Sequence, residues 1–313
     1  MTNLIRVMIG YDGSRYAHTA IDDLRHAGLP ANGNALVASV VDMSKTPILT
    51  DAELGQMGKF FSPRLLAETI DHTQKERARL LNQEEVLAFE GARRVVEILP
   101  GWGVISQSMV GDPADELIWS AKEWKADLIV VGSHGWGRIG RFLLGSVSSK
   151  IAEKATCSVR VWRGDSRASV APTTRVIVGA ISPTNAERIF REIGTRSWSN
   201  DTEFHLVAVD DGFSPGRVSA VYPYGPAIFE KAAQNLRDGG FRVSVEIRSG
   251  DPRAVLLREA EARKASSIFV ISGKADEESG LNEAAAGLVT DAPCTVEIVR
   301  SQSALRRNAE GPA

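Results

Sequence analysis

Two hydrophobic spacings alternate along the first half of the chain. Leu4 to Gly10, Ala35 to Val41, Trp102 to Val110, Leu128 to Val131 and Val159 to Trp162 are short apolar runs. Runs of this length, closed by turn residues, read as buried strands. Between them apolar residues recur at helical spacing: Ala17, Ala20, Ile21 and Leu24, then Leu117, Ile118 and Ala121, then Val147, Ile151 and Ala155. The punctuation agrees. Tyr11-Asp12-Gly13-Ser14 is a turn with a capping residue, Gly28 ends the first helix, and Gly111-Asp112-Pro113 opens another with proline in its first turn. Ser146 or Ser148 is placed to cap the helix after the fourth strand. Residues 43–100 are mixed. A long helix is predicted within Pro63 to Ile98, with Lys75-Glu76-Arg77 and Arg79 on a solvated face. Strands alternating with helices predict an α/β fold with a parallel sheet covered on both faces.

The pattern then starts again. Arg175 to Gly179 matches Arg6 to Gly10 at a separation of 169 residues, which also relates Asp42 to Asp211. Further on, the separation is 139 for Gly111-Asp112-Pro113 and Gly250-Asp251-Pro252, and 137 for Cys157 and Cys294. The second copy is therefore 30 residues shorter in its middle segment and two shorter in a later loop. A repeat of this size means two copies of one domain, 1–165 and 172–301, with a tail at 302–313. Pro, Ser, Gly and Thr concentrate between Gly164 and Thr174, the expected linker.

The candidate chemistry lies between Gly132 and Ser146. A strand ends, a glycine-rich loop follows, and a helix begins on a small hydroxyl residue. Such a loop aims backbone N–H groups at an anion, glycine lets phosphate oxygens come close, and the helix N-terminus adds partial positive charge. Gly135, Gly137 and Gly140 also spell G-x-G-x-x-G, but that fingerprint belongs at the entry to a helix directly after the first strand. No G-x-x-x-x-G-K-[ST] occurs, which argues against a Walker-type ATPase.

The spacing of Gly132, Gly135, Gly145 and Ser146, with Ala155-Thr-Cys157 and Val159-Arg-Val161 after it, resembles the nucleotide loop of the universal stress protein family in its ATP-binding branch. The resemblance spans nearly the whole chain as a tandem pair. It implies two open parallel five-stranded sheets of order 3-2-1-4-5, with helices on both faces. It also implies an intrachain pseudo-dimer joined through antiparallel final strands, Val159 to Trp162 and Thr295 to Val299, and leaves room for a homodimer. By the same resemblance Asp12 sits at the nucleoside end and Val40 or Val41 lines the adenine pocket. Gly132, Gly135, Gly145, Ser146 and Val147 hold ribose and phosphates, with Ser148 nearby. The ligand implied is ATP, or AMP or ADP, with Mg²⁺ accompanying the phosphates. Arg138 and Arg141 lie in the variable part of the loop, where an arginine would approach the terminal phosphate.

At the constant separations the second copy has Ile181 for Asp12, Asp210 for Val41, Ile271 for Gly132, Lys274 for Gly135, Asn282 for Gly145 and Glu283 for Ser146. A branched side chain where backbone must come close, and a carboxylate where phosphate should sit, predict one functional site, in the first copy.

Charge and composition narrow the remaining classes. The net charge is −2 and the pI about 6.3, so no global field draws nucleic acid or an anionic membrane. No apolar run reaches transmembrane length and the start lacks a signal-peptide pattern. Two cysteines, Cys157 and Cys294, suit a reducing cytoplasm. The five histidines are scattered without metal spacing, and no acid-rich cluster flanks the loop. The reading is a nucleotide-binding regulatory module with an unidentified protein partner. The alternatives are a slow adenine-nucleotide hydrolase and an interaction scaffold without ligand.

Overall fold

The computed structural model describes residues 4–42, 49, 51–133, 144–163, 173–180, 183–210, 225–271 and 282–300. The first copy runs β1 (Arg6–Gly10), α1 (Arg15–Asp22), a 3₁₀ turn (Asp23–His26), β2 (Asn34–Asp42), α2 (Asp51–Met57), α3 (Pro63–Ile98), β3 (Gly103–Gly111), α4 (Pro113–Glu123), β4 (Leu128–Gly132), α5 (Ser146–Lys154) and β5 (Ser158–Trp162). The second runs β6 (Arg175–Ala180), α6 (Pro183–Gly194), β7 (Glu203–Asp210), α7 (Gly225–Asp238), β8 (Arg242–Ser249), α8 (Pro252–Arg263), β9 (Ser267–Ile271), α9 (Glu283–Asp291) and β10 (Thr295–Val299). Ser14 caps α1 through Ala17 N–H, and Asp112 caps α4 through Ala114 and Asp115 N–H.

The strands form one sheet of order β3-β2-β1-β4-β5-β10-β9-β6-β7-β8. Each half has the expected parallel order, but the expectation of two separate five-stranded sheets is corrected to a single mixed sheet of ten strands. The cause is the antiparallel pairing of β5 with β10, which places Val161 opposite Val296, Arg160 opposite Glu297 and Val159 opposite Ile298. The repeat holds in three dimensions. Val7 faces Leu128 as Val176 faces Ser267, and Asn34 faces Gly103 as Glu203 faces Arg242.

Side-chain alternation gives the two faces of this junction different characters. Val159, Val161, Val296 and Ile298 point to one face, where a single apolar core runs from α4 and α5 to α8 and α9. The other face carries two separate cores, one under α1 and α3, the other under α6 and α7. Between those cores stand Arg160 and Glu297, both fully buried. Arg160 donates to Asp23 and to Glu297, each at 2.8 Å. Glu297 also accepts from Arg196, which donates to Glu192 at 3.1 Å. Charge thus alternates through five residues. The ring of Phe269 lies 5.8 Å from the Arg160 guanidinium and 4.9 Å from that of Arg196.

Two further arginines lock the junction by exchange. Arg163 leaves β5 and donates to the carbonyls of Val289 and Ala292 at the end of α9. Arg300 leaves β10 and donates to those of Ala152 and Cys157 around the end of α5. Each supplies positive charge where a helix presents its last carbonyls. Among the described residues no helix is long and apolar enough to cross a membrane.

Removing one member of a buried ion network strands the others and costs about 3–5 kcal/mol. Glu297→Gln keeps the volume and leaves Arg160 and Arg196 facing a neutral amide. The urea midpoint should fall accordingly, and an unchanged midpoint would show that the network adds no stability.

His26 crosses the same junction, with Nδ1 2.7 Å from the Thr174 hydroxyl, and burial holds it below the usual histidine value of 6.5. Burial also lowers His205 in β7. The unfolded chain therefore takes up protons before the folded one as pH falls through about 6.5. Stability is full above that range and declines below it. Chemical denaturation in steps from about pH 7 to pH 5 should show the decline, and His26→Gln should flatten part of it.

Candidate functional site

A crevice of about 460 Å³ opens beyond the carboxyl ends of β1 and β4, where the strand order reverses. Its wall includes the chain leaving β1 at Gly10 to Asp12, the end of β2 at Ala38, Val40 and Asp42, and the start of α4 at Pro113 and Leu117. Val131, Gly132, Gly145 to Ser148, Ala17 of α1 and Glu84 of α3 complete it. Of the residues singled out from the sequence, Asp12, Val40, Gly132, Gly145, Ser146, Val147 and Ser148 meet here. Gly135 lies outside the described residues, as do His134, Trp136, Arg138 and Arg141.

The pleat separates the two valines. Val40 shares the α4 side of β2 with Leu36 and Ala38 and lines the crevice. Val41 points the other way, is buried, and does not line it. Asp12 is exposed at the mouth, and its Oδ1 accepts from Ser14 N–H at 3.0 Å. Gly132 is needed for packing. A Cβ there would stand 2.8–2.9 Å from the backbone and Cβ of Tyr16, so its absence lets α1 approach β4.

The helix cap departs from the sequence reading. Neither Ser146 nor Ser148 caps α5. Gly145 occupies that position, with φ −66° and ψ 148°, and brings no side chain to the terminus. The first intrahelical bond runs from Ser149 N–H to the Gly145 carbonyl. The N–H groups of Ser146, Val147 and Ser148 therefore have no intrahelical acceptor, and their turn forms one wall of the crevice. Ser148 is buried and its hydroxyl donates to the Gly132 carbonyl at 2.5 Å, tying α5 to the end of β4. Gly145 N–H donates to the Ser133 carbonyl at 2.7 Å and closes the neck of the loop. The donor of Ser148 is thus committed to the scaffold, while Ser146 is exposed at the wall.

The second copy ends differently at the same place. Asn282 caps α9, its Oδ1 accepting from Ala285 N–H at 2.8 Å, and Glu283 is the first helical residue. That terminus is satisfied by its own chain and carries a carboxylate. Asp210 ends β7 where the first copy has Val41, and Ile271 is buried where it has Gly132. Ile181 and Lys274 lie outside the described residues.

Sequence reasoning missed Glu84, Asp42, Tyr11, Pro113 and Leu117. Asp42 entered only as the repeat match of Asp211, and Glu84 is one acid among many in a charged helix. No acid-rich cluster flanks the loop in the sequence, yet the fold brings Asp12, Asp42 and Glu84 from three elements to line one crevice. Among the described residues no group of His, Cys, Asp or Glu is arranged to hold a metal ion. Burial, and Glu90 nearby, push the Tyr11 phenol up, so it stays protonated beside His18. Burial raises both thiols, Cys157 and Cys294, to about 12, which leaves them inert as nucleophiles.

A sequence profile described as the universal stress protein family matches residues 5–163 and 173–300. The universal stress protein YxiE of Bacillus subtilis is 27% identical over 159 residues, 50% of this chain and 98% of its own. The universal stress protein Rv1636 of Mycobacterium tuberculosis is 31% identical over 161 residues, 50% of this chain and 93% of its own. In fold, the chain is similar to a universal stress protein from Archaeoglobus fulgidus, at a TM-score of 0.61 and 19% identity, covering 96% of this chain and 99% of that one.

The tie between α5 and β4 can be weighed directly. Ser148→Ala should lower stability by about 1 kcal/mol through loss of the bond to the Gly132 carbonyl, whereas Ser146→Ala should be close to neutral. Thermal unfolding of the two variants distinguishes them, and the reverse order would place the tie on the other serine.

Proposed function

The chain belongs to the universal stress protein family, and on that premise we propose that its first copy binds an adenine nucleotide, ATP or the related ADP or AMP, as a nucleotide-responsive regulatory module. The observation that carries this reading is the open start of α5. Free N–H groups and the positive end of the helix dipole meet the crevice with no side chain of the helix's own to answer them. The nucleotide's phosphates lie at this turn, held by the N–H groups of Ser146 to Ser148 and by the Ser146 hydroxyl. By its place in the glycine spacing, Gly135 is assigned the close backbone approach to the phosphates. Val40 packs against the flat base, and Asp12 accepts from the nucleoside.

Mg²⁺ accompanies the phosphates in this reading, since the described carboxylates offer no cluster of their own for it. The module holds its ligand more than it turns it over. Hydrolysis requires a positioned water and neutralisation of charge on the leaving phosphate. The Asp12 carboxylate accepts from Ser14 N–H and that of Glu84 from Ser39, which favours binding over activation of water. The second copy is a structural partner. Its helix terminus is filled by Asn282 and made repulsive to phosphate by Glu283.

Titration calorimetry of the full chain with ATP should count one site, and two sites of similar affinity would overturn the asymmetry. Gly145→Asn gives α5 the cap that α9 has. It should weaken ATP binding tenfold or more, about 1.4 kcal/mol. Exchanging Gly for Asn at a cap changes stability by only about a few tenths of a kcal/mol. The ligand-free unfolding temperature should therefore barely move. Unchanged affinity would remove the start of α5 from the site.

A further inference from the structure

The wall of the crevice opposite α5 is supplied by α3, which belongs to the segment that makes the first copy longer. This helix packs closely on the sheet at Gly91. A Cβ on Gly91 would stand 2.9 Å from both the Tyr11 ring and Val37. One turn earlier Leu87 lies 2.9 Å from where a Cβ of Gly13 would be, so α3 covers the turn that carries Asp12. Glu84, three residues further back on the same side, reaches over the end of β2 and lines the crevice. Its Oε2 accepts a hydrogen bond from the Ser39 hydroxyl. Ser39 is 1% exposed, so this anchor is fixed by the core. The second oxygen, Oε1, has no hydrogen-bond partner among the described residues.

Position and charge together assign a role. Ser39 adjoins Val40 on β2, while the open turn of α5 follows β4, and β1 lies between those strands. At about 4.8 Å per strand spacing, the two ends of the crevice are about 10 Å apart. A carboxylate is a pure acceptor and repels phosphate. At the β2 end it therefore receives a donor from the uncharged part of the ligand and turns the phosphates toward α5.

Resting on the nucleotide reading above, we propose that Glu84 is a specificity-determining residue whose free carboxylate oxygen accepts a hydrogen bond from a donor on the nucleoside, either the exocyclic amine of the base or a ribose hydroxyl. Ser39 is its positioning residue. A site built around a buried hydrogen bond rejects analogues that lack the matching group far more strongly than a purely apolar site does.

The test is a matrix of affinities, measured by calorimetry on the full chain. The ligands are ATP, inosine triphosphate, which carries a carbonyl in place of the amine, and 2′-deoxy-ATP. The proteins are wild type, Glu84→Gln, Ser39→Ala and Gly145→Asn. Wild type should prefer ATP over one of the two analogues by tenfold or more, and which analogue suffers identifies the donor. Glu84→Gln should reduce that ratio at least fivefold, because an amide offers a donor as well as an acceptor. Ser39→Ala should reduce it by a smaller factor. Gly145→Asn should weaken all three ligands alike and preserve the ratio. The proposal is overturned if wild type binds ATP but Glu84→Gln, with an unchanged unfolding temperature, leaves both ratios where they were. Absence of ATP binding by wild type would overturn the nucleotide reading itself, and this proposal with it.

Discussion

The antiparallel contact between β5 and β10 is the constraint on which the rest of the molecule depends. Each strand would otherwise be an exposed edge, with a row of unpaired N–H and C=O groups beside a buried hydrophobic face. Pairing them merges the cores under α4, α5, α8 and α9 into one. On the opposite face it forces Arg160 and Glu297 together in the interior. Such charges are tolerable only because every carboxylate in the chain from Asp23 to Glu192 meets a guanidinium. The exchange of Arg163 and Arg300 between helix ends extends the same logic to the backbone.

With the frame fixed, a small local difference separates the copies. Their strand registers coincide, so neither sheet geometry nor strand order distinguishes them. What differs is the residue ahead of the fourth-strand helix. Glycine leaves the first turn of α5 unanswered, and asparagine answers that of α9 from within. A side chain that stabilises one helix start removes a binding feature from it. The longer middle segment of the first copy adds a second difference, because it brings α3 and Glu84 over the crevice.

Much of this was legible in the sequence, for identifiable reasons. Buried parallel strands are near-continuous apolar runs, so all five strands of the first copy were placed to within two residues. The helix at Pro63–Ile98 was visible from its apolar repeat and its proline start. The repeat itself followed from matched motifs. The pairing of β5 with β10 came from the family resemblance and not from any local pattern, because the partner of β5 is 137 residues away and no local pattern encodes a register between distant strands. The helix α2 carries too few apolar positions to announce itself. The cap was misassigned because serine outranks glycine in intrinsic capping preference, and only the backbone angles at Gly145 show where the helix begins. Val40 and Val41 could not be told apart until the pleat fixed which face each one takes. Glu84 depends on how closely a helix approaches a sheet, a distance set by the missing side chain at Gly91.

The direct opposition of Arg160 and Glu297 has a consequence for how the chain is made. These are equivalent positions of the two copies. Synthesis completes β5 long before β10 leaves the ribosome, so the first copy waits with an open edge beside the nascent chains of neighbouring ribosomes. Two such edges meeting in this register would oppose arginine to arginine, and two second copies would oppose glutamate to glutamate. Like charges directly across a ladder are destabilising, the more so when buried. The strand that does match is attached through a short connection, at an effective concentration on the order of millimolar. Charge thus rejects the wrong kind of edge while the tether delivers the right one, so two matching halves of one chain become an ordered assembly.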